Sequence, residues 1–257
     1  LKWLKNFLIL KNKMAKKKSK KKSEIERSDG RAYDEPREME AESGIIDNAF
    51  GSAMFRFGNT IAIAGVYGPK TLHPQHLQNP KKAVLRCYYN MISFSVPDRK
   101  RPGPGRRAHE IGKVTEWALA DVIDLENFPS QAIDVHISIL QANASTRCAG
   151  INAAAIALAD AGLPMREMVS SVSIGKLDKD LVVDLTKEEE DFSEGEGATD
   201  LPLAFTNSGE VTLMQMDGEI GGEELKEAVK LGRKACQKVY EVQKEALKDI
   251  GGKNGDI

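Results

Sequence analysis

Between residues 50 and 220 the spacing of apolar positions switches repeatedly between a period of two and a period of three to four, so strands and helices interleave. Ser52–Phe57 and Thr60–Val66 are apolar-rich runs separated by Gly58-Asn59, which predicts a β-hairpin with a tight turn. Ala83–Met91 is a third strand candidate, and Gly103–Arg107 is a Pro/Gly loop. Arg107–Ile123 has helical periodicity through Ile111, Val114, Ala118, Leu119 and Val122. In Ile133–Leu140, apolar Ile133, Val135, Ile137 and Ile139 alternate with polar partners, the pattern of a half-buried strand. A polar turn, Asn143–Arg147, then leads into an Ala-rich run from Cys148 to Ala161, closed by Gly162 and Pro164, which predicts a buried helix. Short strands are expected at Val169–Gly175, Leu181–Leu185, Leu201–Phe205 and Val211–Met216. The last predicted element is a long amphipathic helix, Glu223–Ile250, with a stripe of Leu225, Val229, Ala235, Val239, Val242, Ala246 and Ile250. Helices mixed with antiparallel hairpins make the class α+β.

The 257 residues suffice for one large domain or two modest ones. With no internal repeat and no long linker, one domain over residues 25–250 is the expectation. Cys87, Cys148 and Cys236 lie far apart with no CxxC pair. Neither a disulfide framework nor a zinc cluster is readable, and a reducing, cytoplasmic setting fits.

Charge divides the chain unevenly. Residues 1–22 carry ten lysines and no acid; since the net charge is −1, the remaining 235 residues carry −11. The lysine-rich stretch, residues 1–24, reads as a solvated, disordered tail, as do residues 251–257. Leu1–Leu10 is too short and too interrupted by lysine to span a membrane, and it lacks a signal-peptide cleavage pattern. No membrane partner is expected. Met14 opens a plausible protein, so residues 1–13 are set aside as upstream sequence.

Three constellations could carry chemistry. Asn143–Arg147 begins the Ala-rich helix, where Ser and Thr cap free N–H groups and where those same groups attract anions. An arginine there adds a forked donor suited to phosphate. Arg99, Lys100, Arg101, Arg106 and Arg107 place five cations within nine residues on the Pro/Gly loop, able to clamp a phosphate backbone. The acids Glu188, Glu189, Glu190, Asp191, Glu194, Glu196 and Asp200 form a stretch that as a charge run reads as a solvated loop, although carboxylates at strand ends can hold Mg²⁺ or serve as a general acid. His73, His76, His109 and His136 show no ligand spacing, and His136 reads as structural. Pro102–Arg107 lacks the Lys-Ser/Thr of a Walker phosphate loop.

Several segments carry a resemblance at these same residues. SDGR (28–31), FGNT and IAIAGVYGPK (57–70), LHPQHL (72–77), RRAHEIGKV (106–114), IDVHISILQANASTR (133–147) and ALADAGLPM (157–165) occur in the order and context of the RNase PH family. Within that family the chain is most similar to the catalytic ring subunit of the archaeal exosome. The resemblance covers about residues 25–250.

It implies an RNase PH-like fold and a phosphorolytic 3′→5′ exoribonuclease, in which inorganic phosphate attacks the terminal phosphodiester of single-stranded RNA and nucleoside diphosphates leave. By the same resemblance, Ser145, Thr146 and Arg147 cradle the phosphate, and Arg107 with Arg106 grips it and the last RNA phosphates. Asp191 matches the catalytic aspartate and Asp200 the second acidic position; the two would share Mg²⁺. Gln75 and His76 occupy the loop that meets RNA, with Gln75 standing where the family usually has Arg. The spacing from Asp191 to Asp200 is wider than the family's, so an inserted bulge is expected. The implied partners are a non-catalytic homologue, completing a hexameric ring of three heterodimers, and RNA-binding cap subunits. The alternatives are a stand-alone, tRNA-trimming RNase PH and a catalytically dead scaffold subunit. Asp191, Arg107 and Arg147 together weigh against the scaffold.

Overall fold

A computed structural model of the chain describes Arg27, residues 29–192 and residues 197–253, the side chains of residues 249–253 excepted. The lysine-rich stretch, the Glu194–Glu196 part of the acidic run and the Ile250 side chain lie outside the described residues.

Strands β1 (Met39–Ser43), β2 (Gly51–Phe57), β3 (Thr60–Thr71), β4 (Val84–Met91) and β5 (Gln131–Gln141) form one sheet in the order β1-β2-β3-β5-β4. Strands β6 (Val169–Leu177), β7 (Asp180–Val183), β8 (Ala198–Thr206) and β9 (Val211–Met214) form a second, ordered β7-β6-β8-β9. Of these strand pairs β4 and β5 run parallel; the others are antiparallel, and the fold is α+β. The expected hairpin joins β2 to β3 with Phe57 opposite Thr60, and Gly58 takes the left-handed conformation (φ +50°) that the turn requires.

Helix α1 (Arg106–Ala120) packs on β4 so closely that a Cβ on Gly112 would stand 2.6 Å from the Cys87 carbonyl oxygen. Helix α2 (Thr146–Asp160) is held between the sheets, against β2 and β3 on one side and β6 on the other. Every residue from Cys148 to Leu158 in it is buried. A helix with no polar stripe has no face to give to water, and its alanines let both sheets approach. Phe55, Val66, Ile133, Val135, Ile137 and Ile139 supply the larger side chains of this core.

Helix α4 (Gly222–Lys253) lays its predicted stripe against β1 and β6, and its backbone runs past residue 250 into the expected tail. Strand β1 carries no apolar run and was not anticipated; it is held by β2 and by the Ser43 hydroxyl, which donates to the Ala246 carbonyl at 2.7 Å. The acidic run departs from the solvated loop expected of it. Thr186 and Glu189 close a capping box that starts a short helix, α3 (Lys187–Glu190), and Glu189 is buried. The His136 ring is exposed and stacked on Tyr88 with centroids 4.8 Å apart. Among the described residues no helix is long and apolar enough to cross a membrane.

Candidate active site

One cavity of about 430 Å³ gathers Ser145, Thr146, Arg147, Arg107 and Asp200 of the site residues expected above. The end of β5 and the start of α2 form its floor through Ala144, Ser145, Thr146, Arg147 and Cys148. Lys100 and Arg107 reach it from the Pro/Gly loop and the first turn of α1; Ser173 and Asp200 reach it from β6 and β8, and Lys187 and Glu190 from α3. Elements far apart in sequence therefore converge on one pocket that holds both cations and carboxylates.

The start of α2 departs from the ordinary capped helix. Ser145 occupies the N-cap in the left-handed conformation (φ +50°, ψ 21°), and its side chain caps nothing. Its hydroxyl donates instead to Oδ1 of buried Asp184 at 2.7 Å. The first N–H groups of α2 therefore have no side-chain cap, and the residues that carry them line the cavity. The Tyr89 hydroxyl is buried beside Thr146; burial pushes its pKa up, and Thr146, Arg107 and Arg147 work the other way.

Arg147 is aimed by a small relay. One of its nitrogens donates to the Gln215 side-chain oxygen, another reaches Glu110 at 3.5 Å, and Gln215 in turn donates to Glu110 at 3.0 Å. Arg107 is exposed and makes no ion pair among the described residues. Lys100 rests its ammonium on the Met91 sulfur at 3.0 Å; burial and the nearby Arg107 lower its pKa. Two cations in one pocket, without counter-ions among the described residues, leave a place for an anion.

On the acidic side, burial pushes the Asp200 carboxyl above the usual carboxylate range, Glu190 adds to the rise, and the Ser173 hydroxyl that donates to it works the other way. Asp200 is thus poised to keep or release a proton nearer neutrality than a free carboxyl. Asp191 sits differently. It ends α3 with its carboxylate exposed and paired to Lys187 at 2.7 Å, and it is not among the cavity-lining residues; its neighbour Glu190 is. Gln75 and His76 are exposed on a 3-10 turn after β3, and they too are outside the cavity, as is Arg106. Burial pushes the Cys148 thiol up to about 12, so it packs here as a neutral group.

Sequence reasoning missed Ser173, Tyr89 and Gln215, while Glu190 and Lys100 were visible only as members of charge runs. None of these has a local signature: Ser173, Lys100 and Glu190 line the pocket through the tertiary fold, while Gln215 acts through Arg147 and Tyr89 lies beside Thr146. Among the described residues no group of three or more His, Cys, Asp or Glu side chains forms a metal cage.

Comparison with known proteins identifies the family. The model of the 3′ exoribonuclease family, domain 1, matches residues 35–164, and that of domain 2 matches residues 167–235. The chain is 50% identical over 224 residues to the Exosome complex component Rrp41 of Pyrococcus abyssi, covering 87% of this chain and 88% of that protein. It is 47% identical over 227 residues to the protein of the same name from Methanopyrus kandleri, with 88% and 93% covered. Among solved structures, rice Rrp46 superposes with a TM-score of 0.75 at 24% identity, covering 86% of this chain and 100% of that one. The Archaeoglobus fulgidus exosome with RNA bound to the active site gives 0.75 at 23%, covering 85% and 93%. Two family domains matched in order, on a fold of two sheets around a buried helix, place this chain in the RNase PH family of 3′ exoribonucleases.

Proposed function

We propose that the chain is a phosphate-dependent 3′→5′ exoribonuclease, the catalytic subunit of an archaeal-type exosome ring. The observation that carries this reading is the single cavity with an uncapped helix N-terminus, Arg147, Arg107 and Lys100 together with Asp200, whose pKa is raised. Phosphorolysis needs those two kinds of group. Phosphate bound at Thr146 and Arg147 attacks the terminal phosphorus, the bond to the 3′ oxygen of the preceding nucleotide breaks, and that oxygen takes a proton. Arg107 and Arg147 neutralise the non-bridging oxygens, and a nucleoside diphosphate leaves.

The proton source is carboxylic. Asp191 holds the position that resembles the family's catalytic aspartate, and Asp200 is the carboxyl the cavity presents. Mg²⁺ fits the donor set: Glu190 and Asp200 face one pocket and repel each other, a pairing a hydrated divalent cation relieves. When bound, the ion would supply charge neutralisation, with Asp200 and the acids of the 190–191 step as its holders. Arg106, Gln75 and His76, outside the cavity, would contact RNA further from its 3′ end.

Partners follow from the same reading: a non-catalytic homologue completing a hexameric ring, RNA-binding cap subunits and a cytoplasmic setting. Phe94 is 73% exposed and Trp117 61%, which supports association through apolar surface. The test is decay of a 5′-labelled RNA with a single-stranded 3′ end by the chain co-purified with its homologue. Nucleoside diphosphates should form only with added phosphate and should vanish in Asp191→Ala. Nucleoside monophosphates formed without phosphate would mean hydrolysis and sink the proposal.

A further inference from the structure

We propose that Asp184 is a positioning residue for the phosphate loop: it takes the Ser145 hydroxyl away from the start of α2 and so keeps the helix N–H groups open to an anion. The inference rests on the phosphate-binding reading above and deepens it.

Serine at an N-cap ordinarily turns its oxygen onto the N–H groups two or three residues ahead, and a serine doing so here would compete with any anion for them. Ser145 does not, because its hydroxyl donates to Asp184 Oδ1 at 2.7 Å and its backbone is left-handed. The Ser145 oxygen keeps its acceptor lone pairs, so it is the direction set by donating to Asp184, with the left-handed backbone, that carries it away from the helix N–H groups. Ala144 before it is also left-handed (φ +54°), a conformation that side chains with a Cβ adopt at a cost.

Something must hold two such residues in place, and the structure shows what does. Arg37 grips Asp184 through Nε and Nη2, each at 2.7 Å, and through its backbone N–H at 3.0 Å. The same guanidinium donates to the Asn143 carbonyl at 2.5 Å, and the single Thr60 hydroxyl hydrogen is shared between the Asn143 and Ala144 carbonyls, each 2.9 Å from Oγ1. The carboxylate is fully buried, and Asp184 is not among the cavity-lining residues, so it acts through Ser145.

The test compares Ser145→Ala with Ser145→Gly in the full-length chain co-purified with its ring partner. Calorimetry gives the affinity for inorganic phosphate; nucleoside diphosphate release gives KM for phosphate and for RNA separately. Both variants lose the link to Asp184, but glycine enters the left-handed region freely and alanine does not. Ser145→Ala should bind phosphate about tenfold more weakly than Ser145→Gly, with KM for RNA the same in both. Equal losses in the two variants would mean that the hydroxyl touches phosphate directly, which overturns the proposal. No loss in either would overturn it as well. If the wild type binds phosphate but releases no nucleoside diphosphate, the exoribonuclease reading fails while the calorimetric comparison still decides this one. A wild type that binds no phosphate overturns both.

Discussion

Arg27 and Glu189, 162 residues apart, form a buried two-pronged ion pair, with Nε to Oε1 at 2.8 Å and Nη2 to Oε2 at 2.9 Å. Arg27 also donates to the Val183 carbonyl at 3.0 Å and to the Asp184 carbonyl at 2.9 Å. The segment before β1 is thereby tied to the turn that carries Glu190 and Asp191. Removing one member leaves a buried charge without its partner. Arg27→Met should therefore cost about 3–5 kcal/mol in a denaturant titration. Below the melting range it should also lower kcat more than it raises KM for RNA, because α3 loses its anchor.

The Asp184 carboxyl gives the chain an acid-sensitive joint. Burial alone would push its pKa up, but the pairing with Arg37 and the hydrogen bond from Ser145 outweigh burial and hold it below the ordinary range. A carboxyl lowered on folding adds stability that is present above its unfolded pKa, about 3.9, and is lost as pH falls through the folded value. Denaturation midpoints measured at decreasing pH should fall in that window. Asp184→Asn should be less stable at pH 7 and should lose less on acidification than the wild type.

Asp200 has the opposite sign. Its pKa is raised, so the protonated form persists to higher pH than for a free carboxyl, and a rate that needs that proton declines as pH rises through the elevated value. The pH–rate profile of Asp200→Asn should lack this limb. Comparing Asp191→Ala with Glu190→Gln separates the two adjacent acids: the one delivering the proton should cost about 10² or more in kcat. A loss of that size in Glu190→Gln with Asp191→Ala near wild type would reassign the acid to the residue that lines the cavity.

Arg107 and Arg147 face the same pocket with different support. Arg147 is held by Gln215 and Glu110, while Arg107 has no ion-pair partner among the described residues. Arg107→Ala should reduce the slope of log K for single-stranded RNA against log salt by about 0.7 for each RNA phosphate that the arginine neutralises. Arg147→Lys should chiefly raise KM for phosphate, because lysine lacks the fork that meets two oxygens at once. Gln215→Ala should follow Arg147→Lys at smaller size, since it frees the guanidinium without removing it.

What could be read directly from the chain is what neighbouring residues decide among themselves. The Gly58-Asn59 turn, the alternation of Ile133, Val135, Ile137 and Ile139, and the alanines of α2 each declare an element through local backbone preference and a fixed period. That Asn143–Arg147 opens a helix was legible for the same reason. Tertiary structure decided the rest. An acidic run carries no mark of which glutamate will be buried, and Glu189 became that one because Arg27 lies across from it. A serine at a helix start reads as a cap, and Ser145 became an anchor because Asp184 takes its hydroxyl. Strand β1 alternates Met39 and Ala41 with Glu40 and Glu42 over too few residues to announce itself, and it exists through its pairing with β2 and the packing of Met39 and Ala41 on the core. In each case the deciding energy is a charge or hydrogen bond between residues distant in sequence, whose strength depends on burial that only the folded chain supplies.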